Sequence, residues 1–151
     1  MNRGCGIYWR GYNLFYFRPI YLAGHSVGSQ ICAMILSSKW FGGLEVSEKS
    51  LFKGVFYLSG IFYLPELLMT SINEKLEMDQ AEAEEMSPML HLEDFDKNLK
   101  DLKENFEISV IIAEDECPKF IEQGNEYYEK VCFYNMKIII ATRCLFKLQF
   151  K

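Results

Sequence analysis

A serine flanked by two glycines is the residue of this sequence with the clearest chemical potential. Gly24-His25-Ser26-Val27-Gly28 follows the apolar run PIYLA and precedes VGSQICAMIL, whose apolar residues recur at helical spacing. In a sharp turn from strand to helix, a serine is exposed as a nucleophile, and flanking glycines avoid collisions with neighbouring backbone. Ser26 is therefore the candidate nucleophile. The alternative is a structural turn in which Ser26 only caps the helix.

The backbone next to Ser26 suits a developing negative charge. The Val27 N–H lies at the start of the predicted helix, where it can donate to an oxyanion and where the helix dipole favours negative charge. Gly24, Val27 and Gly28 are thus the candidate residues of the elbow and of its oxyanion hole.

A nucleophilic serine is activated by a histidine that an acid orients, and for a strand-turn-helix site of this kind the expected chain order is serine, acid, histidine. The run EISVIIA leads into Glu114-Asp115-Glu116, at the carboxyl end of a predicted strand, where a triad acid belongs. Ordinary loop carboxylates are the alternative interpretation. His25 adjoins Ser26, so its side chain should point elsewhere, and His91 precedes the acids and is interpreted as a surface or loop residue. The base is therefore missing.

The elements that would position these residues alternate along the chain. Short apolar runs predict strands over 19–23, 53–60, 107–113 and 136–141, and helices are predicted over 27–40 and 118–131. The acidic stretch 65–103 between them contains helix formers and is interpreted as a solvated helix face. Continuous apolar strands alternating with helices predict an α/β fold, with a mainly parallel sheet and helices on both faces.

Composition excludes several classes of protein. The length of 151 residues suits about one domain. The net charge of −5 argues against a nucleic-acid partner. The sequence contains no apolar run of the roughly 20 residues that span a membrane. The five cysteines are odd in number and lack CxxC spacing, so we do not expect a metal site. We expect the cysteines to be free thiols, which places the protein in the cytosol.

Beyond the elbow, the sequence resembles the kynurenine formamidase (arylformamidase) family of α/β-hydrolases. The resemblance rests on four stretches in the family's order and spacing: IYLAGHSVGSQICAMIL, GVFYLSGIFYLPELLMTSIN, the acidic segment ending in EEMSP, and VIIAEDECPKFIEQGNEYYEKV. The last resembles a strand, an acid loop and a helix beginning Asp-Ser-Pro-x-Phe. Together these stretches cover residues 20 to about 133.

The resemblance implies a reaction and assigns roles. The family hydrolyses N-formylkynurenine to kynurenine and formate, with no cofactor. Ser26 would attack the formyl carbonyl, and the Val27 N–H would supply half of the oxyanion hole. Pro118 and Phe120 fix the register that places the triad acid at Glu116, with Asp115 as the alternative. We expect a small-molecule substrate, no nucleic-acid or membrane partner, and allow for a homodimer.

Two parts of the family pattern are absent from this sequence. The 19 residues before the elbow strand contain no HGG segment, and no histidine follows the last predicted strand. We therefore divide the chain into an irregular segment, 1–19, a central part of an α/β-hydrolase domain, 20–141, and an atypical tail, 142–151. The expectation is a truncated chain that lacks the first strands and the histidine segment and has negligible activity. A carboxylesterase of the same fold and a non-catalytic pseudo-enzyme are the alternatives.

Overall fold

The computed structural model describes residues 18–141. Most of the expected irregular segment 1–19 and all of the expected tail 142–151 lie outside the described residues. Four strands are present, β1 Ile20–His25, β2 Phe52–Leu58, β3 Glu107–Ile111 and β4 Lys137–Ala141. Seven α-helices lie among the described residues: α1 Val27–Ser37, α2 Lys39–Gly42, α3 Val46–Lys49, α4 Asn73–Leu76, α5 Gln80–Glu85, α6 Leu92–Leu99 and α7 Pro118–Phe133.

The four strands form one parallel sheet in the order β1-β2-β3-β4. The ladder continues past the strand ends, where Ser26 N–H donates to the Leu58 carbonyl oxygen and Ser59 N–H to the Ile111 carbonyl oxygen. Because all strands run the same way, their carboxyl ends and the loops that follow them meet at one edge of the sheet. The predicted α/β fold with a parallel sheet is confirmed.

The hydrophobic core lies between the sheet and the helices α1, α6 and α7. Tyr57 of β2 lies between the sheet and two of these helices. Its ring packs edge-on against Tyr127 of α7, and it belongs to the same buried cluster as the α1 side chains. The largest fully buried side chains of the core are Leu36, Phe41, Val55, Tyr57, Phe62, Phe95, Leu99, Phe106, Ile108, Val110, Tyr127 and Val131. These side chains bury one face of the sheet.

The opposite face of the sheet is open among the described residues. Side chains alternate along a strand, so the neighbours of the core residues point to this face. Tyr21, Phe56 and Ile139 there are 52%, 40% and 55% exposed. The expectation of helices on both faces is thus not met within residues 18–141, because α1 and α7 both pack on the Tyr57 side. Apolar strands predict coverage of both faces, but they do not say which segments provide it.

The predicted elements are present, with shifted ends. The first strand extends through Gly24 and His25, because its pairing with β2 continues to Leu58. The predicted helix 27–40 ends at Ser37, since Ser38 is extended and its hydroxyl caps a new short helix by accepting from the Phe41 N–H. The last predicted helix runs two residues further, to Phe133.

The acidic stretch is divided into short helices. Asp79 begins α5 through a reciprocal capping box with Glu82, and Pro88 follows the end of that helix. Helix α6, which was not predicted separately, packs against α1 through Phe95 and Leu99 in the core. The glutamates of α5 are exposed, as the interpretation of a solvated face requires.

Candidate active site

Ser26 occupies a strained turn between β1 and α1. Its backbone has φ 55° and ψ −119°, a conformation that costs a residue with a side chain about 1–3 kcal/mol. The N–H of Ser26 donates to the Leu58 carbonyl oxygen at 2.9 Å, which ties the turn to β2. The Ser26 side chain makes no capping hydrogen bond to the helix. The alternative in which Ser26 only caps α1 is therefore not what the structure shows.

The two glycines of the elbow differ in the space that each would leave for a Cβ atom. A Cβ at Gly24 would lie 2.2 Å from the carbonyl carbon and oxygen of Gly28, so β1 and the first turn of α1 are in direct backbone contact. A Cβ at Gly28 would meet nothing within 4 Å among the described residues. The steric reason expected for both glycines therefore holds for Gly24 and is wrong for Gly28.

Ser29 is a buried residue of the elbow that sequence reasoning missed. Its hydroxyl donates to the Gly24 carbonyl oxygen at 2.6 Å and accepts from the Leu58 N–H at 3.0 Å. The side chain is fully buried. It therefore fastens the end of β1 to the end of β2 directly beneath the strained turn. A polar residue on the sheet-facing side of an otherwise apolar helix was the available signal.

The first turn of α1 presents free backbone donors. The first N–H groups of a helix have no acceptor within the helix, and Val27 is the first residue of α1. No acidic side chain lies in this turn, and the Val27 side chain is 59% exposed. The free N–H groups here can therefore donate hydrogen bonds to an anion, as an oxyanion hole requires.

The candidate acids lie two strands away from the elbow. The loop Glu114 to Cys117 follows β3, and β2 lies between β1 and β3. Two strand spacings amount to roughly 10 Å, a gap that an imidazole with a hydrogen bond at each end nearly spans. Glu116 is half-buried and accepts from the Cys117 N–H at 3.1 Å, whereas Asp115 is exposed.

Among the described residues, neither histidine forms a hydrogen bond with Ser26. His25 is exposed at the end of β1, with its side chain on the open face. His91 lies at the start of α6, where its Nε2 is 2.7 Å from the Glu85 carbonyl oxygen. The sequence contains only these two histidines.

Gln123 of α7 fixes the loop between the elbow and the acids. Its side-chain oxygen accepts from the N–H groups of Phe62 and Tyr63 at 2.9 and 3.0 Å. Its amide nitrogen donates to the Tyr63 carbonyl oxygen and to the Glu66 carboxylate at 3.0 and 2.8 Å. The Gln123 amide, followed by Lys119, lowers the pKa of Glu66. This clamp joins the loop after β2 to the helix that follows the acid loop.

The described residues hold no group of three or more histidine, cysteine, aspartate or glutamate side chains arranged for a metal ion. In the same part of the chain, every helix is too short or too polar to cross a bilayer.

Comparisons with known proteins give two kinds of relative. The chain is 36% identical over 119 residues to the kynurenine formamidase of Danio rerio, and 36% identical over 110 residues to that of Salmo salar. These matches cover 79% and 73% of this chain but 38% and 35% of the two relatives. The chain therefore spans about a third of the length of the curated relatives it matches. No protein-family model matches the sequence.

Solved structures share the fold. A protein of Silicibacter sp. TM1040 described as a thioesterase superposes with a TM-score of 0.59 and 26% identity, over 82% of this chain and 42% of that one. The acylaminoacyl peptidase of Pyrococcus horikoshii superposes with a TM-score of 0.54 and 18% identity, over 82% of this chain and 19% of the peptidase. The chain thus has the fold of part of an α/β-hydrolase and is related in sequence to the kynurenine formamidases.

Proposed function

We propose that residues 20–141 carry the nucleophile and the acid of a serine hydrolase of the kynurenine formamidase type. One observation supports this most strongly: Ser26 has a strained, positive φ at the start of α1, and its hydroxyl is not used for capping. Strain at a non-glycine residue persists only where the surroundings enforce it, and Gly24, Ser29 and Leu58 do so here.

In the proposed reaction, the Ser26 hydroxyl attacks the formyl carbon of N-formylkynurenine. The carbonyl oxygen becomes an oxyanion, which the Val27 N–H stabilises. Collapse of this intermediate breaks the C–N bond, kynurenine leaves with a proton on its nitrogen, and water then releases formate from the serine. The proton transfers require a histidine held by a carboxylate. Glu116 is the proposed acid, because it is the less exposed of the two candidates, and Asp115 remains the alternative.

The chain by itself should be almost inactive. Without an imidazole the serine hydroxyl keeps its proton and is a poor nucleophile. We expect the purified chain and its Ser26→Ala variant to release kynurenine from N-formylkynurenine at the same rate. Faster release by the unmodified chain would contradict this expectation.

A chimera tests the proposed function itself. Residues 20–141 would replace the aligned segment of the Danio rerio kynurenine formamidase, so that the flanking parts come from the relative. We expect Ser26-dependent kynurenine release, a loss of roughly 10²–10⁴-fold for Glu116→Gln, and a much smaller loss for Asp115→Asn. A reversed order of the two carboxylate variants would assign the acid to Asp115. A folded chimera without Ser26-dependent activity would refute the proposal.

An ester substrate separates the two hydrolase alternatives. Formamides and esters pass through the same kind of oxyanion, so the elbow alone suits both. Comparing kcat/KM of the chimera for N-formylkynurenine and for an aryl ester gives the preference, which we expect to favour the formamide.

The proposed compartment is the cytosol. Cys32, Cys117 and Cys132 are free thiols in the structure, as a reducing environment allows. Fractionation of cells that express the chain, with a cytosolic marker as reference, would test this placement.

A further inference from the structure

A second strained serine lies directly after β2, beside the elbow. Ser59 has φ 45°, in the left-handed region where a residue with a Cβ is strained and glycine is not. Its side chain is 5% exposed, so the hydroxyl faces the protein rather than solvent. Glycine would suit the backbone better at this position. What serine adds over glycine here is a buried hydroxyl, and strain of this kind is often kept at functional sites.

The peptide unit between Leu58 and Ser59 connects the elbow to the strand that precedes the candidate acids. On one side, the Leu58 carbonyl oxygen accepts from the Ser26 N–H at 2.9 Å. On the other side, the Ser59 N–H donates to the Ile111 carbonyl oxygen at 2.7 Å. Because a peptide unit is planar and rigid, its two polar groups hold the nucleophile turn and the end of β3 in a fixed relation.

The Ser59 hydroxyl extends this link into the loop of candidate acids. Its Oγ accepts from the Ala113 N–H at 3.4 Å. The Ala113 carbonyl oxygen in turn accepts from the Glu116 N–H at 3.3 Å, which closes a four-residue turn over 113–116, hereafter the acid turn. This turn carries both candidate acids, Asp115 and Glu116. It is therefore attached to the end of β2 through the Ser59 side chain.

Close packing after Ser59 holds the strained residue in place. A Cβ at Gly60 would lie 2.5 Å from Cζ of the Phe62 ring and 2.9 Å from the Ser29 Cβ, so the chain passes directly over the first turn of α1. Two residues later, the Phe62 N–H donates to the Gln123 side chain. Ser59 is thus fixed on one side by the strand ladder and on the other by this packed loop.

We propose that Ser59 is a positioning residue, whose hydroxyl holds the acid turn at a fixed distance from Ser26. The inference rests on the proposed function, because it takes a carboxylate of the acid turn as the group that orients the histidine. Ser59 acts through the turn and not on the substrate. An acid that is displaced by about 1 Å orients an imidazole less well, so the loss of the hydroxyl should affect turnover rather than substrate binding.

Amide hydrogen exchange in the full 151-residue chain tests the contact without requiring activity. Ser59→Ala deletes the hydroxyl and keeps the strained Cβ, whereas Ser59→Gly deletes the hydroxyl and relieves the strain. We expect the Ala113 and Glu116 amides to exchange at least about threefold faster in both variants, because the acid turn opens more often. Unchanged exchange in Ser59→Ala, or faster exchange in Ser59→Gly alone, would assign the effect to backbone strain and overturn the proposal.

Asn135→Gly is the matched control for the relief of strain. Asn135 has φ 56° and lies between α7 and β4, at the amino ends of the strands, whereas the acid turn lies at their carboxyl ends. This variant should leave the exchange of the Ala113 amide unchanged. If it increases that exchange as much as Ser59→Gly does, overall stability controls the acid turn and the proposal is wrong.

Kinetics of the chimera separate positioning from a purely structural role. Ser59→Ala should lower kcat for N-formylkynurenine roughly tenfold and leave KM unchanged. An unchanged kcat, or a raised KM alone, in a chimera with Ser26-dependent activity would overturn this proposal and leave the proposed function intact. A folded chimera without Ser26-dependent activity would instead refute the proposed function, and the exchange experiment would still decide whether Ser59 holds the acid turn.

Discussion

Replacing each glycine of the elbow by alanine tests the central structural argument. At Gly24 the added Cβ would lie 2.2 Å from two backbone atoms of Gly28 and 2.5 Å from the Ser29 nitrogen. Ordinary contact with these atoms begins at 3.4 Å, so the first turn of α1 must move by about 1 Å. That movement also stretches the hydrogen bond from Ser29 to the Gly24 carbonyl oxygen.

The expected cost of Gly24→Ala is about 3 kcal/mol or more in the free energy of unfolding, because backbone atoms in a packed core cannot yield as a flexible side chain can. Gly28→Ala meets no atom within 4 Å in the described part of the chain. It should be neutral or stabilise by about 0.5 kcal/mol, since alanine is the better helix former.

Denaturant unfolding followed by circular dichroism measures both variants at one protein concentration. The midpoint should fall for Gly24→Ala at unchanged slope and stay or rise for Gly28→Ala. Equal changes in the two variants, or a cost below about 1 kcal/mol at position 24, would refute the contact between β1 and the first turn of α1.

Three further changes test the supports of the site. Gln123→Leu should cost about 2–4 kcal/mol, because it leaves the buried Phe62 N–H and the half-buried Tyr63 N–H without an acceptor. Gln80→Leu, at an exposed position, should change little by the same unfolding measurement. Ser87→Ala removes a buried hydroxyl that accepts from a main-chain N–H at 2.8 Å, and should lower the thermal midpoint through a loss of about 1–3 kcal/mol. The pKa of Glu66 is lowered in the folded state. The ionised carboxylate therefore adds a small amount to the free energy of unfolding, in full above the ordinary pKa of 4.5, and this amount is lost as the pH falls through the lowered pKa. Glu66→Gln should therefore flatten the loss of stability on acidification below about pH 4.5, and an unchanged slope would contradict this.

The sequence alone predicted the elements of the fold because their signals are local. Apolar runs and helical spacing located all four strands and the helices α1 and α7, within a few residues at each end. The elbow could be located at Ser26 for the same reason, since strand, glycine, serine and helix follow one another within a few residues. The loop of candidate acids follows a strand and was found by the same local pattern.

Only the tertiary structure decided which atoms enforce the site. Gly24 is required because its backbone meets that of Gly28, whereas Gly28 itself has open space on its Cβ side. Ser29 and Gln123 act through partners 29 and 57 to 61 residues away, and no local pattern encodes such contacts. The open face was likewise hidden in the sequence, because an apolar strand looks the same whether its cover comes from the described residues or from elsewhere.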